Sequence, residues 1–141
     1  MKAIRVLFIT LMAFSVLASC KDSGEITEID GINKNLVNSP AVSNTKNSFS
    51  IAVKSELFNS ALEYPVTFEK ADFDIALAIG QMTAGTASIQ IFNDTKQMLY
   101  NGEFTSSYSL AQHITLDERP TKVKFIFNNL TASFSCTLTV K

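Results

Sequence analysis

The run KVKFIFNNLTASFSCTLTVK, residues 122–141, decides the fold class. Leu130, Ala132, Phe134, Cys136, Leu138 and Val140 recur at every second position, with Thr131, Ser133, Ser135, Thr137 and Thr139 between them. A β-strand sends successive side chains to opposite faces, so this spacing gives one apolar face and one hydroxyl-lined face. Val123, Phe125 and Phe127 alternate in the same way just before it. Asn128-Asn129 separates the two runs, and asparagine tolerates the positive φ angles of a tight turn. The spacing predicts a β-hairpin here.

The same period of two extends upstream to Phe49. Phe49, Ile51 and Val53 begin a strand, and Val66 and Phe68 a short one after Pro65. Phe73, Ile75, Leu77 and Ile79 form another, and Thr83–Thr86 reads as a turn into Ala87, Ile89 and Ile91. Asn93–Lys96 turns the chain into Met98–Phe104, where Asn101-Gly102 reads as a glycine bulge inside one strand. Tyr108, Leu110, Gln112, Ile114 and Leu116 make a further alternating run that ends at Asp117–Pro120. About seven to nine short strands with polar turns and no convincing helix predict an all-β protein with a single antiparallel β-sandwich over residues 48–141, with a barrel as the second architecture. The strand rhythm from Gly85 to Val140 is similar to small immunoglobulin-like or jelly-roll sandwiches.

Before the domain the composition changes twice. Residues 20–47 are rich in Asn, Ser, Thr and charge, with Gly31 and Pro40 as breakers, and read as a flexible tether with a reach of roughly 30 Å. Ile26, Ile29, Ile32 and Leu36 recur at near-helical spacing, but Gly31, Asn33 and Asn35 oppose a stable helix. Residues 1–19 have the order of an export signal: Lys2 and Arg5, then an apolar stretch from Val6 to Leu17. That stretch is shorter than the ~20 residues of a membrane-spanning helix.

Leu17-Ala18-Ser19-Cys20 resembles the lipobox of bacterial lipoproteins. Ala18 and Ser19 are small enough to enter a peptidase cleft, and the Cys20 thiol is the nucleophile that can carry a lipid. The resemblance implies cleavage before Cys20, a covalent diacylglycerol and N-acyl lipid on it, and anchoring in the outer membrane. Each buried CH₂ of such chains contributes ~0.8 kcal/mol, so several chains hold a protein stably. Lys21-Asp22-Ser23-Gly24-Glu25 is similar to the charged runs after the lipid-bearing cysteine in Bacteroidota-type lipoproteins, where acidic clusters direct surface display. Periplasmic and surface-exposed orientations both remain open at this point.

Charge and composition exclude several functions. Removing residues 1–19 takes away Lys2 and Arg5 of the 12 basic residues and none of the 13 acidic ones, leaving a net charge of −3. That is not the basic footprint of a nucleic-acid binder. Tryptophan is absent while phenylalanine occurs 11 times, which suits a buried core better than a sugar-stacking platform. Tyr64, Tyr100 and Tyr108 remain candidates for stacking.

Candidate chemistry is sparse. With Cys20 lipidated, Cys136 has no disulfide partner, and its phase with Phe134 and Leu138 predicts a buried thiol. His113 is the sole histidine and out of phase with the apolar positions, which predicts a solvent-facing side chain. Asp72 and Asp74 flank Phe73 and so share one strand face. They are the candidate calcium ligands, although Ca²⁺ takes six to eight oxygens and Asn93 and Asp94 would have to converge on them. Glu69, Asp72 and Asp74 could also supply a glycosidase-like acid pair. A solvated strand face is the default for both, so no catalytic residue, metal or cofactor beyond the lipid is expected. Asp117 and Glu118 read as a charged turn, and Asn93 and Asn129 as turn residues.

The reading that follows is a membrane-anchored, non-catalytic binding module at the cell envelope, meeting a glycan or an envelope protein. Its alternative is a structural accessory subunit of an outer-membrane complex, with a hydrolase third.

Overall fold

The computed structural model describes residues 36–141; the export signal, Cys20 and most of the tether lie outside them. The described chain is all-β, with six antiparallel strands: β1 (Ala41–Asn44), β2 (Ser48–Pro65), β3 (Asp72–Phe92), β4 (Met98–Phe104), β5 (Tyr108–Thr115) and β6 (Lys122–Val140). The strand order is β1-β2-β6-β3-β4, with β5 also pairing to β3.

Three of these strands are far longer than the usual five or six residues. Each is bent at a corner where its register slips. On β2 the slip falls between Ser55 and Ser60, and against β6 the pairing of β3 slips between Gly80 and Thr86. Four residues at the corners have left-handed backbones: Leu57, Gln81, Gly85 and Asn129. The bend folds one sheet into two facing layers. The first half of β2 and of β3 and the second half of β6 lie in one layer with β1 and β5; the other halves join β4 in the second.

Aromatic contacts across the core show the closure. Phe134 meets Phe125 and Phe127 edge-on, with ring centroids 5.8 and 5.1 Å apart. Nine residues of straight strand would span ~30 Å. The apolar positions of both layers face inward, and Phe49, Phe73, Phe125, Phe127 and Phe134 are fully buried.

The predicted hairpin at Asn128-Asn129 is therefore a corner of one continuous strand. The apolar runs on either side pair with β2 and β3 and not with each other. Local sequence is the same for both outcomes, because a left-handed asparagine serves a hairpin or a corner equally. Thr83–Thr86 likewise lies inside β3, which lowers the strand count below the expected seven to nine. Asn101-Gly102 does sit within one strand, but the irregularity of β4 falls at Leu99, between the pairs Ile91–Tyr100 and Phe92–Met98. Val66 and Phe68 form no strand; they are buried in the loop that follows β2.

The corner is held by side chains. Ser55 is buried, donates to the Ala132 carbonyl at 2.8 Å, and accepts from the Ala132 N–H at 3.1 Å. Asn59 and Asn129 exchange hydrogen bonds across the same corner. Residues 36–47, expected as tether, already belong to the sheet. Val37 bridges Lys54, and β1 pairs with β2 from Ala41–Ala52 to Asn44–Phe49.

Candidate functional site

The outer face of the five-stranded layer is built from small side chains. Ala52 on β2, Ser135 on β6, Ala78 on β3 and Ser109 on β5 stand in one row across the strands. Lys54, Ser133 and Gly80 make the next row. Because the apolar half of each strand's alternation is spent on the core, this face takes the Ala, Ser, Thr and Gly half. Short side chains leave the backbone close to solvent and the surface low.

The segment before β1 raises a wall beside it. Asn38 donates its N–H to the Lys54 carbonyl at 2.8 Å, and its side chain both donates to and accepts from the Glu56 backbone. This clamp holds Leu36 and Ser39 over the face, and Leu36 is 51% exposed. Between wall and floor runs a groove of about 670 Å³, open to solvent along its length. Its lining is mainly apolar and hydroxyl-bearing, and Lys54 is its one charged member. Neither a carboxylate nor an aromatic ring on the outer face contributes to it. A smaller recess of about 520 Å³ lies at the loop end, between Lys46, Thr67, Glu69 and Arg119.

At the far end of the same face the charged groups gather. Asp74 accepts from Lys141 Nζ at 2.7 Å and meets His113 Nδ1 at 3.0 Å. Lys141 first, and His113 next, hold the Asp74 carboxyl below its ordinary range. Thr115 Oγ1 lies 3.5 Å from His113 Nε2, completing a carboxylate–imidazole–hydroxyl line. A nucleophile and its base need about 2.6–3.2 Å, so this line is too loose for proton transfer as it stands. The Asp74 and His113 side chains are each about half exposed, so water competes for both.

The sequence candidates thus fall in separate places. Asp72 and Asp74 do share a face, but the two Asp74 oxygens are engaged by Lys141 and His113, and one Asp72 oxygen is buried without a hydrogen-bond partner. Among the described residues no cluster of three or more His, Cys, Asp or Glu side chains could hold a metal ion. Two of the other candidate oxygens are engaged elsewhere. Asn93 Oδ1 accepts from the Gln97 N–H at 2.7 Å and from the Thr95 hydroxyl at 2.9 Å, and Glu69 pairs with Lys46. Asp117 and Glu118 lie in the loop between β5 and β6, where Glu118 accepts from Asn93 Nδ2.

Cys136 is buried in the core, and burial pushes its thiol up to about 12. The three tyrosines diverge. Tyr64 packs on Phe49, Tyr108 on Phe104, and Tyr100 is half-buried beside Gly102 of β4. The groove itself escaped the sequence reading, because its wall comes from residues that looked like tether. Leu17, Ala18, Ser19 and Cys20 lie outside the described residues.

No known protein family and no curated protein sequence matches the chain. Among solved structures, a chain from the disulfide-linked pili of Bacillus endospore appendages aligns with 72% of this chain and 91% of its own length. The identity is 11% and the TM-score 0.44. CsCBM6-3 from Clostridium stercorarium, solved in complex with cellobiose, aligns with 72% of this chain and 82% of its own, at 10% identity and a TM-score of 0.32. Likenesses this slight carry no argument about function.

Proposed function

We propose that this chain is an envelope lipoprotein, held to the outer membrane through acylated Cys20, whose β-domain is a non-catalytic binding module. The observation that supports it is the groove beneath Leu36, with its low floor of Ala, Ser and Gly side chains. Binding functions sit on rigid scaffolds whose exposed segments shape the site. Phe134 turns its ring into the core, so the floor offers a sugar no exposed ring to stack on, while apolar and hydroxyl groups suit an extended segment of an envelope protein. Burial of the ligand's apolar atoms at ~25 cal/mol per Å² would supply most of the affinity.

The test pairs two variants. Cys20→Ser should abolish incorporation of labelled palmitate and release the protein from the membrane fraction. Ala78→Arg places a long charged side chain on the groove floor without entering the core. Immobilised unsubstituted protein should retain an envelope protein that the Ala78→Arg form loses, and both should leave a glycan array blank. Retention by Ala78→Arg, or binding to glycans alone, would overturn the protein-ligand reading. Co-purification from detergent extract in fixed stoichiometry would instead favour a permanent accessory subunit.

A further inference from the structure

The folded sheet has four edges among the described residues, and three of them carry the usual protection against pairing with another chain. β1 is four residues long. The second half of β2 carries Glu63 and ends at Pro65, and β4 carries Glu103 and an irregularity at Leu99. Charge, proline, bulges and shortness are the ordinary ways of closing a sheet edge. β5 has none of them. Its eight residues pair with β3 in unbroken register from Thr115–Asp72 to Tyr108–Ile79, and it contains no Lys, Arg, Asp, Glu, Pro or Gly. No described strand lies on its other side.

The sequence of this edge is also close to symmetric about Gln112. Leu110 mirrors Ile114, Ser109 mirrors Thr115, and Tyr108 mirrors Leu116 just past the strand's end, while Ala111 is set against His113. An antiparallel pair of identical strands related by a two-fold axis matches each residue with its mirror. With the axis at Gln112, the core-side positions would match Leu110 with Ile114 and Tyr108 with Leu116, and join the two Gln112 amides. The outer positions would match Ser109 with Thr115 and Ala111 with His113. No two carboxylates or ammonium groups meet, the large apolar side chains meet one another, and small Ala111 faces the His113 ring. Such cross-strand pairs are the unit of sheet stabilisation.

We infer that β5 is a self-association edge, through which two copies of this chain join by antiparallel β5–β5 pairing with Gln112 on the two-fold axis. The partner is a second copy because three of the four mirrored pairs about Gln112 set like side chains together in the antiparallel sense, and the fourth sets a small side chain against a large one. Pairing would make one continuous layer from the five-strand layers of both copies. It leaves the groove beneath Leu36 free, since β1 and β5 are opposite margins of that layer. The inference does not depend on the ligand proposed for the groove.

The purified mature protein should sediment as a dimer. Gln112→Lys brings two ammonium groups together at the axis and should weaken association by at least about tenfold. Gln112→Cys should form a disulfide-linked dimer under mild oxidation, because only a residue on the axis faces its own copy. Ser109→Cys, which would face Thr115, should not. The buried Cys136 does not compete. Circular dichroism melting confirms that each variant is folded. If Gln112→Lys misfolds, cross-linking of Gln112→Cys decides. A protein that stays monomeric, a dimer from which Gln112→Cys fails to cross-link, or equal cross-linking of Ser109→Cys would overturn the inference. So would a monomer whose Gln112→Cys thiol is shielded from labelling, since another part of the chain would then cover the edge.

Discussion

Glu63 shows how much a single side chain does on a sheet edge. It lies opposite Lys124 on β6 and accepts from Lys124 at 2.9 Å and Lys122 at 3.2 Å. The hydrogen bonds from Lys124 and then Lys122 hold its carboxyl below the ordinary value of 4.5. A depressed folded pKa stabilises the fold above the unfolded value, and that stabilisation disappears as pH falls through the folded value. Glu63→Gln should therefore lower the urea midpoint slightly at neutral pH and leave it unchanged in strong acid. An equal loss at both pH values would show that packing, not charge, is responsible. The effect is small because the pair is largely in water, where ion pairs contribute little. At this scale the sequence was informative about Cys136, whose phase among Phe134 and Leu138 placed it in the core. It was silent on the Asp74–His113 contact, because 39 residues of chain separate the two and only the β3–β5 register makes them neighbours.

The corners are the decisive feature at the scale of elements. Gly85 has a φ of 83°, and a Cβ added there would clash with the Asn128 and Asn129 carbonyl oxygens. Gly85→Ala should destabilise the domain by at least about 1–3 kcal/mol, from backbone strain plus the clash. Leu57 is the opposite case. It holds a φ of 49° with no glycine or asparagine to ease it, and its side chain is 69% exposed. Leu57→Asn should raise stability by up to about 1 kcal/mol, since left-handed backbone costs an ordinary residue roughly 1–2 kcal/mol and little burial is lost. Urea midpoints of the two variants should move in opposite directions, and a shift of the same sign would refute the account of the corners. Alternation located every long strand, but it could not tell a hairpin from a bend. Asn128-Asn129 permits both, and the choice falls to whichever strands are available to pair.

For the whole molecule, the pairing is strongly non-local. Ser55 and Ala132, bonded across the corner, are 77 residues apart in the chain. Loop-closure entropy must be overcome before such contacts form, so refolding should take roughly milliseconds to seconds. Stopped-flow dilution from urea measures it, and complete refolding in microseconds would contradict this topology. Period-two alternation by itself determined that the protein is all-β and antiparallel, and which side chains enter its core, because burial follows directly from the phase of a strand. The lipid attachment proposed at Cys20 rests on a local run as well, Leu17-Ala18-Ser19-Cys20. Tertiary structure alone decided that three strands bend through both layers, that residues 36–47 join the sheet, and that Leu36 stands over a groove. Those depend on which distant strands meet, and hydrogen bonding between backbones is blind to side-chain identity.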